Sequence, residues 1–355
     1  MYLIRDATEG DLPGLARLAR SFNTVNLPDD EGELRDMLDT TVRSFAGRIR
    51  KPMEREYLFV MEDTETGDVI GTSQIMAQHG TREAPHIYLD VLEEDRYSDT
   101  VDRLFKHKVL RIGFDYDGPT EIGGLVLDPT YRRRPGKLGK QLSFVRFVFM
   151  AMHRDRFRDV VIAELLPPLG EGGRSALWEA LGRRFTGMNY READLISKHN
   201  KEFIRNLFPT GMIYASLFDD EAQEVIGKVG PQTEGVRRML ESIGFTPVDR
   251  IDPFDGGPHF EARTEELWPV TQTRCCTAEI GDGRDIAEAP GESAEGLVAW
   301  EPPKKLQRGH FRAMWSDFRH SDDGKVELPA ETAAALGLAG GEQVHALTFA
   351  RHLRM

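Results

Sequence analysis

The feature that most constrains the fold is a strand-like run at 122–127 that leads, through a basic loop at 132–140, into a long helix rich in phenylalanine. A second strand-like run, 160–165, follows that helix. Backbone N–H groups at a glycine-lined helix N-terminus bind anions well, because that end of the helix is electropositive. This order predicts a phosphate-binding turn in a domain that mixes strands and helices; a solvated basic turn with a glycine cap is the alternative. The candidate anion-binding residues of the loop are Arg134, Gly136, Gly139 and Lys140.

The segments before this turn predict the remaining elements of an α+β domain. Residues 1–5 have the pattern of a strand, and apolar residues recur at helical spacing from Leu12 onwards. Runs at 56–62 and 68–76 flank a turn-rich connector, which predicts an antiparallel hairpin. The resulting order is strand, helix, hairpin, strand, basic loop, helix and strand.

The C-terminal part of the chain predicts a linker and a small module. Residues 281–303 are rich in Gly, Ala, Glu and Pro and show little periodicity, which is typical of a surface loop or linker. The pattern over 304–355 predicts a β-rich module of strand, short helix and strand. Its acidic context and the lack of a basic stripe argue against a role in DNA binding.

Charge and cysteine content narrow the functional classes. The formal net charge is -13, which argues against binding to nucleic acid or an anionic membrane and favours a cationic substrate, although solubility alone also explains it. The only cysteines, Cys275 and Cys276, are adjacent, so they offer neither a disulfide framework nor the spaced ligands of a zinc site. No window approaches the roughly 18 uncharged residues of a membrane span, and the N-terminus has no signal-peptide pattern. We therefore expect a cytoplasmic protein that holds no metal.

The segment 254–258, Phe-Asp-Gly-Gly-Pro, is unusual for ordinary packing. A carboxylate in a fixed loop is the group that best recognises a guanidinium, and neighbouring glycines let the backbone come close. Asp255 is therefore the candidate for recognition of a cationic acceptor. The competing interpretation is a tight turn capped by Asp255, in which the glycines supply positive φ, and the two interpretations are compatible. The candidate substrate-binding residues of this segment are Phe254, Asp255, Gly256 and Gly257.

Several segments that occur in order along the chain indicate a family. They are Leu-x-Leu-Asp-Pro at 125–129, Ala-Glu at 163–164, Ile-Gly-Lys-Val-Gly-Pro-Gln-Thr at 226–233, and the segment 254–258. In this combination they resemble the arginine N-succinyltransferase family. The resemblance implies a GNAT-like acyl-CoA N-acyltransferase fold.

The resemblance also leads to a domain division. A helix followed by glycine and an aromatic residue occurs at 177–185 and again at 236–245, which fits two tandem GNAT-like parts, although the pattern is also a common helix C-cap. We predict an acyl-CoA-binding domain over 1–195 and a second GNAT-like or acceptor-site part over 196–280. The linker and the β-rich module complete the chain.

The family transfers a succinyl group from succinyl-CoA to the α-amine of arginine in arginine catabolism. The resemblance implies direct attack of the amine on the thioester in a ternary complex, with succinyl-CoA as cosubstrate and no permanently bound cofactor. It places Leu125 and Leu127 beside the acyl-CoA, and Gln232 and Thr233 beside the acceptor. Two alternatives stay open: an N-acyltransferase for another cationic amine or acyl-CoA, and a catalytically silent subunit that binds acyl-CoA or arginine. A homo- or hetero-oligomer is compatible with each of them.

The residues that would move protons are where this chain departs from the family pattern. The family places a histidine at the position of Gly230, and glycine has no titratable group. Glu164, in the strand-like run 160–165, is a candidate to deprotonate the amine, directly or through water, or to pair with a guanidinium; a salt bridge is the alternative. His259 directly follows the segment 254–258 and titrates near neutral pH, so it is the candidate replacement, with a structural histidine as the alternative.

Overall fold

The computed structural model describes residues 1–21, 27–82, 84–281, 292–303, 310–321 and 323–349. The chain forms two compact units that interleave along the sequence. The first comprises Met1–Ala77, Ile122–Arg158 and Thr264–Met355, and the second comprises Gln78–Glu121 and Asp159–Arg263. The units are thus discontinuous in sequence, whereas the domains that we predict from the sequence are consecutive segments.

The described residues contain strands and helices in similar measure. The strands are β1 (Tyr2–Asp6), β2 (Glu56–Asp63), β3 (Asp68–Met76), β4 (His86–Ser98), β5 (Arg103–Asp115), β6 (Thr120–Leu127), β7 (Val160–Glu164), β8 (Ile213–Tyr214), β9 (Thr246–Ile251), β10 (Pro258–Arg263), β11 (Arg274–Ile280), β12 (Glu292–Trp300), β13 (Arg312–His320), β14 (Lys325–Leu328) and β15 (Gln343–Phe349). The helices are α1 (Leu12–Ser21), α2 (Glu31–Phe45), α3 (Leu138–Met152), α4 (Ala176–Ala180), α5 (Gly182–Thr186), α6 (Tyr190–His199), α7 (Glu202–Leu207), α8 (Asp220–Val225), α9 (Glu234–Ile243), α10 (Trp268–Gln272) and α11 (Ala330–Leu336). None of these helices is long and apolar enough to cross a membrane.

In the first unit, the strands follow the order β12–β15–β11–β14–β13–β1–β2–β3–β6. The predicted hairpin is confirmed, because β2 and β3 pair antiparallel around the turn between Asp63 and Asp68. Leu15 of α1, Leu34 of α2 and Leu58 of β2 belong to one buried apolar cluster. The helical spacing of apolar residues from Leu12 therefore reflects burial of one helix face in this cluster.

The predicted strand, basic loop and long helix are also confirmed in the first unit. β6 ends at Leu127, and α3 begins at Leu138 after the loop. Phe144, Phe147 and Phe149 of α3 are all buried. A helix that is buried over most of its length is a core helix, so α3 holds the end of the loop in place.

The segment that we predict to be a linker, 281–303, contains the nine-residue strand β12; its residues 282–291 lie outside the described residues. β12 pairs with β13 on one side and with β15 on the other. A Cβ on Gly296 would lie 1.9 Å from the Leu347 carbonyl oxygen, so glycine is needed there for close strand packing. The small residues that give this segment the composition of a linker therefore belong to a strand that is paired on both sides.

The predicted C-terminal strand, helix and strand are confirmed as β14, α11 and β15. These elements do not stand apart from the rest of the first unit. β13 pairs antiparallel with β1, with Leu3 opposite Met314. Leu3, Met314, Val326 and Val344 share one buried cluster, so the N-terminal and C-terminal strands of this unit have a common core.

In the second unit, the strands follow the order β7–β10–β9–β4–β5–β8. Thr120 and Glu121, the first residues of β6, pair in parallel with β7. Residues of α4, α6, α7 and α8 contribute to a core in which the Trp178 and Phe254 rings stack with their centroids 5.0 Å apart. The predicted helix, glycine and aromatic pattern near 236–245 is confirmed, since α9 ends at Gly244 with φ 116°.

Candidate functional site

Glu164 and His259 face each other on neighbouring strands of the second unit. β7 and β10 pair with His259 directly opposite Glu164, and opposite residues on neighbouring strands lie on the same face of a sheet. The His259 Nε2 atom lies 3.3 Å from the Glu164 Oε1 atom. The His259 side chain is 1% exposed and the Glu164 side chain 25%. The carboxylate is therefore the member of the pair that reaches solvent.

His86, the first residue of β4, contacts the same carboxylate. β9 ends at Ile251, opposite Leu89 of β4, so the start of β4 extends past the end of β9. The His86 Nε2 atom lies 3.1 Å from the Glu164 Oε1 atom, and the His86 ring stacks on the His259 ring with centroids 5.5 Å apart. One carboxylate oxygen thus has two imidazoles beside it.

His79 extends this arrangement from the loop that follows β3. Its backbone N–H donates to the Pro119 carbonyl over 2.7 Å, and its ring centroid lies 4.5 Å from that of His86. The His79 Nδ1 atom contacts the Glu121 carboxylate, and its Nε2 atom lies 3.5 Å from the Lys201 Nζ atom. We call the following five residues the histidine cluster: His79, His86, Glu121, Glu164 and His259.

Burial and neighbouring imidazoles act in opposite directions on the pKa of Glu164. Burial raises the pKa of Glu164, whereas the charge of His259 and the hydrogen bond from His86 lower it, and the net pKa is well below its ordinary value. Burial lowers the pKa of His259, and the nearby Glu164 only partly offsets this. At neutral pH the pair is therefore a carboxylate and a neutral imidazole. Neither ring nitrogen of His259 makes a hydrogen bond within the part of the chain that the structure describes.

The segment 254–258 forms a tight, buried turn in the second unit. The Asp252 carboxylate accepts hydrogen bonds from the backbone N–H groups of Phe254, over 2.7 Å, and Asp255, over 3.1 Å. The Asp255 carboxylate in turn accepts one from the N–H of Gly257, over 2.7 Å. Asp255 therefore does cap the turn, as one of the two sequence interpretations predicts.

The two glycines of the turn are needed for different reasons. Gly256 has φ 85°, a conformation that other residues rarely adopt. A Cβ on Gly257 would lie 2.2 Å from the Leu165 carbonyl oxygen, so any side chain there would collide with the backbone next to Glu164. The turn and the end of β7 consequently fix each other's position.

The carboxyl groups of this turn hold protons unusually well. Burial raises the pKa of Asp255 to about 7; the Gly257 N–H opposes this, and the charges of Glu164 and Asp194 add to it. Burial and the charge of Asp255 raise the pKa of Asp252 well above its ordinary value. A cation placed beside the turn would restore the charge of these carboxylates.

Gly230 occupies a position with no room for a side chain. Its N–H donates to the Leu166 carbonyl over 2.8 Å, and a Cβ there would lie 2.6 Å from the Pro167 carbonyl oxygen. The Gln232 amide and the Thr233 hydroxyl donate to the carbonyls of Pro167 and Leu166, over 3.3 and 2.9 Å respectively. The backbone at Gly230 therefore excludes a histidine in this conformation.

The candidate acyl-CoA-binding residues all lie in the first unit. Leu125 and Leu127 share the half-buried face of β6, and Val126 between them is buried on the other face. Gly136 has φ 101°. A Cβ on Gly139 would meet no atom within 4 Å, so the backbone at the start of α3 is open to a ligand.

Two cations of the basic loop are held against aromatic rings. The Arg134 guanidinium lies 4.0 Å from the centre of the Tyr131 ring and 3.7 Å from the Asp63 carboxylate. The Lys140 Nζ atom lies 4.2 Å from the centre of the Phe349 ring, and burial lowers the pKa of Lys140. Ring contacts restrict both cations, which prepares them to bind an anion.

The sequence predicts Glu164 and His259 as site residues, and the structure brings them together, but the sequence does not predict the other members of the histidine cluster. His79, His86 and Glu121 belong to no local motif, and 78 residues separate His86 from Glu164. The only signal was that each lies at or near the end of a strand. Their meeting depends on the pairing order of distant strands, which spacing along the chain does not encode.

The chain is similar to proteins of one known family. The family model for the arginine N-succinyltransferase beta subunit matches residues 2–268. An arginine N-succinyltransferase of Enterobacter sp. (strain 638) is 35% identical over 322 residues, which are 88% of this chain and 88% of that protein. One from Escherichia coli (strain 55989 / EAEC) is 32% identical over 352 residues, 97% of this chain and 96% of that protein. The chain belongs to the arginine N-succinyltransferase family.

A solved structure supports the same membership. The arginine/ornithine succinyltransferase subunit AI from Pseudomonas aeruginosa is similar over 98% of both chains, with a TM-score of 0.80 and 30% identity. The predicted α+β, GNAT-like acyltransferase fold is thus confirmed. As a member of the arginine N-succinyltransferase family, the protein is an acyl-CoA-dependent acyltransferase with small-molecule substrates. Where the family resemblance implies a histidine this chain has Gly230, and three histidines lie elsewhere, around Glu164.

Proposed function

We propose that the protein transfers the succinyl group of succinyl-CoA to the α-amine of L-arginine in cytoplasmic arginine catabolism, giving N2-succinyl-L-arginine and CoA. The observation that carries this proposal is similarity over 97% of the chain to relatives named arginine N-succinyltransferase. The Phe-Asp-Gly-Gly-Pro turn and Glu164 add support, because carboxylates in fixed positions suit a cationic acceptor.

The amine attacks the thioester directly, in a ternary complex. The α-ammonium group gives up a proton, and its nitrogen forms a bond to the carbonyl carbon. The carbon–sulfur bond then breaks, its electron pair goes to sulfur and the thiolate takes up the first proton, while the nitrogen releases a second proton to solvent to leave the neutral amide. The protein must therefore supply a group that accepts the first proton and a surface that holds the acyl-CoA.

Glu164 is the group that contacts the amine, and the imidazoles next to its carboxylate hold the proton. Glu164 is the exposed member of its pair with His259, so the ammonium proton goes first to the carboxylate. It then passes to His259, whose ring nitrogens have no hydrogen-bond partner among the described residues. The same pair returns the proton to the thiolate. This relay takes over the task that the family resemblance gives to a histidine at the position of Gly230.

Asp255 recognises the guanidinium of the acceptor, and Gln232 and Thr233 orient its carboxylate. The pKa of Asp255, raised to about 7 by burial, supports this assignment, because a guanidinium would stabilise the charged carboxylate. The other predicted substrate-binding residues shape the turn around Asp255: Phe254, Gly256 and Gly257.

The basic loop and β6 bind succinyl-CoA. The loop residues contact the pyrophosphate at the electropositive start of α3, and the half-buried face of β6 lies beside the thioester. The residues to which we assign these contacts are Leu125, Leu127, Arg134, Gly136, Gly139 and Lys140. The names of the family model and of one solved relative designate a subunit, so we also expect an oligomer, which light scattering would measure.

The test of the proposed reaction is release of free thiol from succinyl-CoA and acetyl-CoA, each with L-arginine, L-ornithine, L-lysine and no acceptor. Arginine-dependent release with succinyl-CoA is the expected result. Release only with a different pair of acyl-CoA and amine would show that the acceptor or the acyl group differs from the proposed one. No release with any pair, alongside measurable acyl-CoA binding, would indicate a silent subunit.

The proton relay has a separate test in His259→Asn. We expect kcat to fall about 100-fold, the lower end of the usual contribution of acid–base groups, with the KM for succinyl-CoA unchanged. His107→Ala, which removes a partly exposed histidine of β5 in the same unit, is the matched control and keeps wild-type kcat. Equal rates for the two variants would exclude His259 from the relay.

A further inference from the structure

We propose that the histidine cluster binds one divalent transition-metal ion of the zinc class, with His79, His86 and Glu164 as ligands and His259 as the fourth. One ligand atom from each of the first three residues lies within 4.8 Å of the others. A tetrahedral zinc ion with bonds of about 2.1 Å places its ligand atoms about 3.4 Å apart. The most distant of these atoms therefore need to approach by at most about 1.4 Å to coordinate an ion.

Two contacts of the cluster already have the spacing of a metal site. The His86 Nε2 and His259 Nε2 atoms lie 3.1 and 3.3 Å from the same Glu164 oxygen. His259 is almost fully buried, and neither of its ring nitrogens has a hydrogen-bond partner in the described part of the chain. A buried imidazole without partners carries a desolvation cost that a metal–nitrogen bond would remove.

The surroundings of His79 match the outer shell of a metal site. Histidine ligands usually present their second ring nitrogen to a carboxylate, which fixes the ring and its tautomer. The His79 Nδ1 atom has this partner in Glu121, which leaves Nε2 as the ligand atom. The Lys201 ammonium, 3.5 Å from that nitrogen, opposes a cation and must swing away when the ion binds. Its long flexible side chain permits this movement.

The donor set selects the class of metal. Imidazole nitrogens with one carboxylate suit Zn²⁺, Co²⁺, Ni²⁺ or Cu²⁺, whereas Mg²⁺ and Ca²⁺ require mostly oxygen ligands. The sequence gives no sign of such a site, because its ligands come from β4, β7, β10 and a loop. The adjacent cysteines are not among them. This origin explains why the sequence alone predicts no metal.

The ion acts as an inhibitor of the proposed reaction. It occupies Glu164 and the imidazole lone pairs, which the relay uses for the proton, so the metal-loaded protein transfers the acyl group more slowly. This consequence rests on the proposed function, but metal binding itself does not. Binding is therefore measured without substrates.

The first experiment titrates Co²⁺ and Zn²⁺ into tag-free, chelator-treated protein. We expect one equivalent of tightly bound ion and the intense visible absorption of four-coordinate Co²⁺. His86→Ala and His79→Ala lose at least about 100-fold in affinity, and Glu121→Gln loses about 10-fold through the outer shell. His107→Ala, the control, binds like the wild type. Circular dichroism confirms that each variant is folded.

The possible outcomes distinguish metal binding by the histidine cluster from its inhibitory effect on the reaction. Weak binding, or equal binding by His86→Ala and His107→Ala, would overturn the metal site; if His86→Ala does not fold, Glu121→Gln takes its place in this comparison. Stoichiometric binding without any loss of thiol release would retain the site and overturn its inhibitory role. If no acyl-CoA and amine pair supports turnover in chelated protein, the proposed function fails while the binding result stands.

Discussion

The basic loop of the first unit and the histidine cluster of the second are built in opposite ways. The predicted loop residues lie within seven consecutive positions, 134–140, and Arg134 and Gly136 are exposed. The cluster takes its members from four strands and a loop, and two of its imidazoles contact a single oxygen of Glu164. A contiguous loop tolerates the loss of one charge, whereas the cluster members depend on one another. We therefore expect loop substitutions to change acyl-CoA affinity and cluster substitutions to change turnover.

The largest expected effect is that of Glu164→Gln. The amide cannot accept the amine proton, so we expect kcat to fall about 10²- to 10³-fold, with little change in the KM for succinyl-CoA. The measurement is steady-state thiol release. Glu93→Gln, at an exposed carboxylate on β4, is the control with wild-type rates. A Glu164→Gln enzyme of normal kcat would place proton transfer outside the cluster.

Next in size is Gly257→Ala, which tests whether the turn and the end of β7 fix each other. The new Cβ would lie 2.2 Å from the Leu165 carbonyl oxygen, and overpacking of this kind costs about 3 kcal/mol in the free energy of unfolding. Urea denaturation measures it. The matched variant is Gly235→Ala in α9, where no atom lies within 4 Å of the new Cβ; helix propensity predicts up to about 1 kcal/mol of stabilisation there. Similar stabilities for both variants would contradict the packing argument.

An effect that is smaller per pH unit is a pH dependence that distinguishes the buried turn from the exposed loop. The pKa of Asp255 is about 7 in the folded chain, above its ordinary 3.8, so the folded chain holds this proton to higher pH than the unfolded chain. The stability from this proton is present at low pH and lost as the pH rises through about 7, with a slope of up to about 1.4 kcal/mol per pH unit. Asp255→Asn should make this slope shallower, and Asp252, whose pKa burial also raises, accounts for the part that is left. Parallel pH profiles of stability for the two proteins would show that Asp255 titrates normally.

The smallest expected effect is that of Arg134→Ala in the basic loop. Loss of one cation from a loop with several should raise the KM for succinyl-CoA about 3- to 10-fold, since an exposed charge contributes about 1 kcal/mol, and leave kcat unchanged. Arg133→Ala, the neighbouring exposed arginine, controls for general loss of positive charge. Equal increases in KM would mean that the loop acts through net charge alone. A fall in kcat would contradict the expectation that loop substitutions change acyl-CoA affinity and not turnover.

The sequence predicts most of the first unit because its patterns are local. The hairpin of β2 and β3, the strand β6 and the helix α3 each follow from residues adjacent in the chain. The error at β12 has a physical reason: the small residues of a tightly packed central strand have the composition of a linker. The discontinuous make-up of the two units is likewise set by contacts between distant segments.

The residues of the candidate site also divide into those that the sequence predicts and those that it does not. Asp255, Gly256 and Gly257 stand out in the sequence because a tight turn needs particular residues at adjacent positions. Glu164 and His259 could be predicted singly, but their pairing depends on the register of β7 against β10. His86 could not be predicted, because only the way β4 extends past β9 brings it to that carboxylate. His79 could not be predicted either, because it comes from the loop after β3 and contacts Glu121.

The fit of Gly230 against the Pro167 carbonyl limits how this protein can evolve. Even a methyl group at that position would collide with a backbone atom, and no rotation of a side chain relieves such a collision. A mutation that placed there the histidine that the family resemblance implies would therefore destabilise this backbone conformation. The peptide at Pro167 would have to shift as well, so a histidine at this position requires at least two coupled changes in the chain.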